Sequence, residues 1–320
     1  MMLPWQKLRR MGIVGMNQRN ADYIMVHNPR RFYPMVDDKL LTKKLALQAG
    51  IAVPDLYGVI EVIHDLKSLG ALLENYQDFV IKPAHGSGGR GILVMSKTKQ
   101  GRYRKSSGQI MTEDDIAHYI SNILGGEYSL GGVPDVAMIE YQVKFNLLFE
   151  SISYQGVPDI RVIVFRGLPV MAMLRLPTRI SDGKANLHQG AVGAGIDIGT
   201  GVILSAVCRD SLVYEHPDTG NSISGLKIPD WDTILELAAG CADLVGIGYM
   251  GVDVVLDRDL GPLVLELNAR PGLAIQLANQ AGLLSRLRTV EDLDSVPPLP
   301  AERAQMAKQN FSVESMGGLV

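Results

Sequence analysis

Short runs of alternating apolar and polar residues, broken by a few stretches of helical spacing, run through most of this chain. Phe79 to Ile81 and Ile92 to Met95 are apolar runs that predict two strands joined by a glycine-rich loop. Val136–Val143, Asp159–Phe165, Pro169–Leu174, Gly251–Asp257 and Pro262–Asn268 predict further strands. Helical spacing predicts helices over residues 37–49, 66–76, 113–124 and 231–246. The first is capped by Asp37 or Asp38 and stopped by Gly50. In the third, Ile116, Ile120, Ile123 and Leu124 share one side. Residues 97–108, 125–134 and 178–201 are rich in turn-forming or polar residues and read as loops. Residues 1–36 read as a short helix and then an irregular approach, either an ordered tail or an interdomain strap or a segment whose arginines, Arg19, Arg30 and Arg31 among them, face a substrate. The tail from Thr289 reads as linker, short helix and frayed end. Strands and helices mixed in this way predict an α+β chain.

Composition changes little in that picture. With 320 residues, 47% hydrophobic and 20% charged, the chain is an ordinary globular protein of one large or two medium domains. A net charge of −3 gives no support for a nucleic-acid partner or an anionic membrane. Cys208 and Cys241 are too few for a disulfide framework and lack metal spacing, so they read as buried thiols in a reducing compartment. The apolar stretch after Lys7, Arg9 and Arg10 is too short for a signal peptide, and no run approaches a bilayer span. A cytoplasmic location is the expectation.

The chemistry starts at residues 78–95. Gly86, Ser87, Gly88, Gly89 and Gly91 form a loop poor in Cβ atoms, whose amides can approach an anion closely. Lys82 adds a fixed positive charge at the end of the preceding strand. No Lys-Ser or Lys-Thr follows the glycines, so a Walker loop is excluded. Gly86, Gly88 and Gly91 match the dinucleotide fingerprint, but that fingerprint must open a helix, and Ile-Leu-Val-Met follows here. A glycine loop between antiparallel strands is instead a lid over phosphates.

A second constellation lies near residues 251–272. Glu266 and Asn268, two apart on a strand, point to one face. A four-residue hairpin loop from Arg258 to Gly261 would set Asp253 opposite Glu266. Unpaired buried carboxylates this close are costly, and a divalent cation would resolve the cost. The hard oxygen set suits Mg²⁺, with Mn²⁺ as a substitute.

Taken together, the motifs resemble the ATP-grasp superfamily. Asp38-Lys39, the lid with Lys82, Glu140-Tyr141, Asp159-Ile160-Arg161, Asn186-Leu187-His188, Asp253 and Glu266-Leu267-Asn268-Ala269-Arg270-Pro271-Gly272 occur in that family's order over residues 37–287. The resemblance is nearest to the α-L-glutamate ligase branch, typified by ribosomal-protein S6 glutamate ligases. It implies two α+β lobes, residues 37–140 and 141–287, that sandwich ATP, with a short segment 1–36 ahead and a tail 288–320 behind. It implies that Lys39 and Lys82 contact phosphates, that Glu140 takes the adenine amine, and that backbone groups from Tyr141 to Val143 pair with the ring edge. Asp159 would sit near ribose, Asn186 on the nucleotide, and Arg175 near the transferred phosphate. Asp253, Glu266 and Asn268 would hold the metal. The branch's arginine–serine pair before the asparagine is replaced by Lys184-Ala185, which departs from its phosphate contacts.

The implied activity is ATP-dependent carboxylate–amine ligation through an acylphosphate. Lys82, Arg175 and Arg270 would be its catalytic cations, and an amino acid or peptide would supply the amine. Only 36 residues precede Asp37, where such ligases usually carry a substrate domain. The substrate platform is then absent, minimal, or supplied by a second copy or another subunit, and an extended acceptor fits an open face. The rivals are a kinase of the same fold acting on a hydroxyl and a nucleotide-binding regulatory subunit.

Overall fold

The structure, a computed structural model, describes residues 4–86, 89–105, 107–129 and 131–316. Its contacts divide the chain into two units. One holds residues 38–40 and 54–143; the other holds residues up to 37, 41–53 and from 144 onward. These bounds differ from those expected from sequence: the first 37 residues and the tail belong to the body of the second unit, and the break falls after Val143.

The hairpin unit is built on six strands, β1 (Leu56–Ile60), β2 (Asp78–Pro83), β3 (Leu93–Lys97), β4 (Tyr103–Lys105), β5 (Ile110–Met111) and β6 (Ala137–Tyr141). They pair antiparallel in the order β1-β6-β2-β3-β4-β5. Phe79, Ile81, Leu93 and Met95 alternate inward from β2 and β3. The helix Glu113–Leu124 covers them with Ile116, Ile120 and Ile123, all fully buried. It starts at Thr112, whose hydroxyl accepts from the Asp115 amide while the Asp115 carboxylate accepts from the Thr112 amide. The expected helix over 66–76 is shorter. Asp65 accepts from the Glu61 and Val62 amides and opens a tight 3₁₀ turn, Ile63–Ser68, before the helix Leu69–Leu73.

Seven strands form the second unit: β7 (Asp159–Phe165), β8 (Leu168–Leu176), β9 (Val192–Ile196), β10 (Ile203–Cys208), β11 (Ser211–Val213), β12 (Tyr249–Asp257) and β13 (Gly261–Asn268). All are antiparallel, in the order β11-β10-β9-β8-β7-β12-β13. β9 falls inside the stretch expected to be loop. Its sequence, Val-Gly-Ala-Gly-Ile, is glycine-rich because the short helix Ile275–Ala278 runs directly over it. A Cβ on Gly195 would lie 2.5 Å from the Ala278 carbonyl oxygen.

Residues 4–37 and the helix near the other end are both packed into the second unit. Asn28 is buried; its amide donates to the Tyr249 and Ala269 carbonyls, and its oxygen accepts from the Tyr249 amide. Gln276 bonds both backbone groups of Val14. Tyr23 packs edge-on to Phe165, with ring centres 5.5 Å apart. At the other end, the helix Pro300–Phe311 packs against the helix Trp231–Val245 and β8. Arg166 and Gly167 turn β7 into β8 with φ of 47° and 83°, the left-handed pair that a two-residue hairpin requires. The missing Cβ of Gly167 leaves room for the Arg303 guanidinium, which pairs with Asp243.

Phe311 is fully enclosed in this layer. Phe311→Ala should therefore lower unfolding stability by about 3–5 kcal/mol in urea titration, the range for deleting a core aromatic ring. An unchanged midpoint would show that the helix does not belong to the core.

Candidate functional site

Each unit carries one polar constellation. In the hairpin unit, Val80 of β2 pairs with Glu140 of β6, and Lys82 lies two residues on, so Lys82 and Glu140 share a face. Both are buried, and Lys82 Nζ lies 2.5 Å from Glu140 Oε1. Burying each charge is tolerable because the other neutralises it. Lys39 reaches the loop itself: its Nζ donates to the Gly86 carbonyl at 2.5 Å, and its amide donates to the Ala84 carbonyl. The Asp38 carboxylate accepts from the Leu40 amide and so caps the helix Lys39–Gln48.

The roots of the glycine loop are held by the 125–135 stretch, which the sequence showed only as a linker. Gly86 forms a β-bridge with Ser129. Gly91, at φ 74°, lies so close to the Tyr128 ring that a Cβ would come within 2.6 Å of it. His85 donates its amide to the buried Asp135 carboxylate, and its Nδ1 lies 2.8 Å from the same group. Gly89 also has a left-handed φ, 74°. Ser87 and Gly88 lie outside the described residues. At the other end of β6, the Tyr141 amide donates to the Asp55 carbonyl, so that donor is already used. Tyr141, Gln142 and Val143 are half-buried. The Gln142 Oε1 is buried without a hydrogen-bond partner among the described residues, an acceptor placed for a donor from outside. Nothing in the sequence distinguished Gln142 or Asp135.

The second unit gathers Asp159 and Arg161 from β7, Arg175 from β8, Asp253 from β12 and Glu266 and Asn268 from β13. Register does this. Asp253 pairs with Arg161 on one side and Glu266 on the other, and Asp159 pairs with Arg175. The Asp253–Glu266 pairing is the one the spacing predicts, reached by another route. The turn is one residue shorter than expected, with Asp257 opposite Gly261, and a bulge at Leu265 restores the register.

Asp253 is 1% exposed. Arg161 grips it with Nε on Oδ1 at 2.7 Å and Nη2 on Oδ2 at 2.6 Å. Arg175 Nη2 reaches Oδ2 at 2.8 Å, and Asn268 Nδ2 at 3.2 Å. Arg175 Nε also donates to Asp159. Burial works against ionisation of Asp253, but Arg161 and Arg175 outweigh it and hold the carboxyl well below the usual carboxylate range. Burial pushes Asp159 up to about 6, against the pull of Arg175 and with Asp253 adding to it.

The cost of burying Asp253 is therefore offset by guanidinium groups on neighbouring strands, a compensation expected from the sequence to come from a cation. Among the described residues, no group of three or more His, Cys, Asp or Glu side chains is arranged to hold a metal. The Asp253, Glu266 and Asn268 set is still oxygen-rich and hard, which suits a Mg²⁺-like ion. It becomes available only if Asp253 exchanges its arginines.

Two candidates stand apart. The Asn186 oxygen accepts from the His188 amide and caps the turn Leu187–Gln189. Arg270 stacks over Tyr33 at 5.1 Å and lies 3.7 Å from Asp37, largely exposed. Of the early arginines, Arg19 donates to the Pro271 carbonyl and Arg31 lies over Phe32.

A sequence profile for sugar-transfer-associated ATP-grasp proteins matches residues 18–292. The chain belongs to that family. Its two α+β units are those of an ATP-grasp fold. Among solved structures, this ATP-grasp chain is similar to the ATP-grasp ligase PsnB bound to a minimal precursor, at 15% identity and a TM-score of 0.45. That match covers 88% of this chain and 63% of PsnB. It is also similar to the D-alanine–D-alanine ligase from Coxiella burnetii, at 13% identity and a TM-score of 0.46, over 87% of this chain and 60% of that one. The chain thus spans less than two thirds of the length of either. A comparison with curated proteins found no match. Among the described residues, no helix is long and apolar enough to cross a membrane.

The raised pKa of Asp159 has a measurable sign. The folded chain holds this proton more tightly than the unfolded chain, so the stability it contributes is complete below about pH 3.8 and lost as pH rises through about 6. Carboxyl ¹³C shifts should show one aspartate titrating near pH 6 that disappears in Asp159→Asn. A wild-type spectrum with no carboxyl midpoint above pH 5 would contradict the burial argument.

Proposed function

We propose that this chain is an ATP-dependent carboxylate–amine ligase that activates its substrate as an acylphosphate. The observation that carries the reading is the Asp159, Arg161, Arg175, Asp253, Glu266 and Asn268 cluster. It combines guanidinium forks, which fit phosphoryl oxygens, with hard oxygen donors, and it contains no serine, threonine or cysteine.

In this reading Lys39, Lys82 and the loop amides neutralise the phosphates of ATP, while Glu140 and the Gln142 oxygen accept from the adenine amine. Asp159 and Asn186 contact the rest of the nucleotide. Arg161 and Arg175 hold the transferred phosphoryl group. Asp253, Glu266 and Asn268 are the residues that would hold Mg²⁺ or Mn²⁺, whose charge would offset that of the terminal phosphates. The substrate carboxylate takes the γ-phosphoryl group, ADP leaves, and the amine attacks the acyl carbon to release phosphate. Arg175 and Arg270 stabilise the oxyanion. The similarity in motif to glutamate ligases favours an amino acid or peptide as amine. A cytoplasmic setting and a partner or second copy that completes the acceptor side belong to the same proposal.

The second reading is a kinase on a hydroxyl. The family's association with sugar transfer favours it, because a carbohydrate acceptor offers hydroxyls.

Hydroxylamine separates the two. With ATP and the carboxylate substrate but no amine, a ligase should yield a hydroxamate visible by mass spectrometry. A stable phosphate ester in its place would establish the kinase. Glu266→Ala should remove ADP release while thermal unfolding stays cooperative; full turnover in that variant would remove Glu266 from the site. Amides of residues 84–92 should exchange more slowly with deuterium when ATP is saturating, because phosphate contacts would order the loop. Equal exchange with and without ATP would exclude the loop as a phosphate lid.

A further inference from the structure

We propose that the second unit docks on an anionic lipid bilayer, through the outer face of a helix near its N-terminus and the two arginines that follow. The cluster around Asp253 plays no part in this.

The net charge of −3 conceals a segregation. Residues 1–36 hold six of the chain's 31 lysines and arginines, Lys7, Arg9, Arg10, Arg19, Arg30 and Arg31, and one of its 34 acids, Asp22. The charge of the whole chain is therefore a poor guide to what this segment attracts. Glu291 and Arg288, which act on Tyr23 from the helix Leu284–Glu291, are opposite in sign and leave the balance as it is.

Met16–Gln18, the π turn Arg19–Ile24 and Met25–His27 run on as one helix. The Arg19 amide donates four residues back, to Gly15, but the Met25 amide donates five back, to Asn20. With that one extra residue, Tyr23 falls in line with Gln18, and Ile24 with Arg19. Tyr23 and Ile24 are buried in the core of the second unit. The same phase stacks Met16, Asn20 and Met25 on one line, and Asn17, Ala21 and Val26 on the next. Met16, Met25 and Val26 are 65%, 77% and 65% exposed. On adjacent lines of a helix they form a patch, which single scattered apolar residues do not.

The cations flank this patch along the chain. Lys7, Arg9 and Arg10 precede it, and Arg30 and Arg31 follow within six residues of Met25; all five are exposed. The Arg31 guanidinium lies over the half-buried Phe32 ring, at 4.7 Å. A protein partner would need a cavity shaped to two methionines and a valine standing out from a helix. A bilayer needs no such fit. Flexible thioethers sink to the acyl boundary, and long arginine stems reach the phosphates beside them.

The full chain should be sedimented with vesicles of phosphatidylcholine alone and of phosphatidylcholine mixed equally with phosphatidylglycerol. It should bind the mixed vesicles at least about tenfold more tightly, and added salt should weaken that binding. Met25→Asp should weaken it about fivefold or more, because an apolar anchor is lost and an acid faces the headgroups. Arg30→Glu with Arg31→Glu should weaken it at least about tenfold. Lys99→Glu with Arg102→Glu changes the net charge equally, at exposed positions of the hairpin unit, and should leave binding unchanged. All these side chains are exposed, and an unchanged thermal midpoint verifies that each variant folds. Absence of binding, or equal affinity for the two vesicles, would overturn the proposal. So would full binding by Met25→Asp, or a loss from the Lys99 and Arg102 reversals as large as from those of Arg30 and Arg31. A dimer in solution that Met25→Asp dissociates would give this face to a second copy of the chain instead. Retention on poly-L-glutamate that falls in parallel with vesicle binding across the variants would give it to an acidic polypeptide.

Discussion

A carboxylate removed from water inside a β-sheet needs positive charge within reach, and Asp253 takes it from the two strands beyond its own. This need constrains much of the second unit. Arg161 must sit opposite Asp253 on β7, and Arg175 must project from β8 far enough to serve both Asp159 and Asp253. A slip of one residue between β7 and β12 would turn one partner to the other face of the sheet and leave the other charge buried alone. Removing one partner from such a pair costs about 3–5 kcal/mol, a large share of a typical domain's stability. Site and fold are therefore hard to separate here: the groups that fit phosphoryl chemistry also fix the strand register.

The hairpin unit solves a smaller version of the same problem. Lys82 and Glu140 neutralise each other across β2 and β6, and the glycine loop that follows is tied at both roots. Its backbone is free of Cβ atoms where it meets Tyr128, while His85 and Lys39 bind fixed neighbours.

Much of this was legible in the sequence. The helix over 113–124 and the strands carrying Lys82, Asp159, Arg175, Asp253 and Glu266 are read directly, because apolar periodicity and single polar interruptions mark them. The unread parts share a cause: their residues answer to distant neighbours. β9 is glycine-rich because a helix lies on it, so local composition imitates a loop. Asn28 matters through backbone groups, and Val14 through a glutamine side chain, more than two hundred residues away. The helix Pro300–Phe311 has modest periodicity and follows a proline run, so its burial shows only once β8 and the helix Trp231–Val245 are in place. Arg161 was visible as part of a motif, but its hold on Asp253 depends on register, which spacing gives for hairpin partners and not for strands nearly a hundred residues apart.

The bulge at Leu265 bears on how this hairpin should be compared with other chains. Which way a strand residue faces is a matter of parity, and the bulge lets the turn and the site have different parity counts. A relative could trade one residue at the turn for the loss of the bulge and still present the same acid and amide inward. Alignments of this region are therefore better anchored on Glu266 and Asn268 than on the turn, and a one-residue gap near residues 258–265 is no sign that the site has been lost.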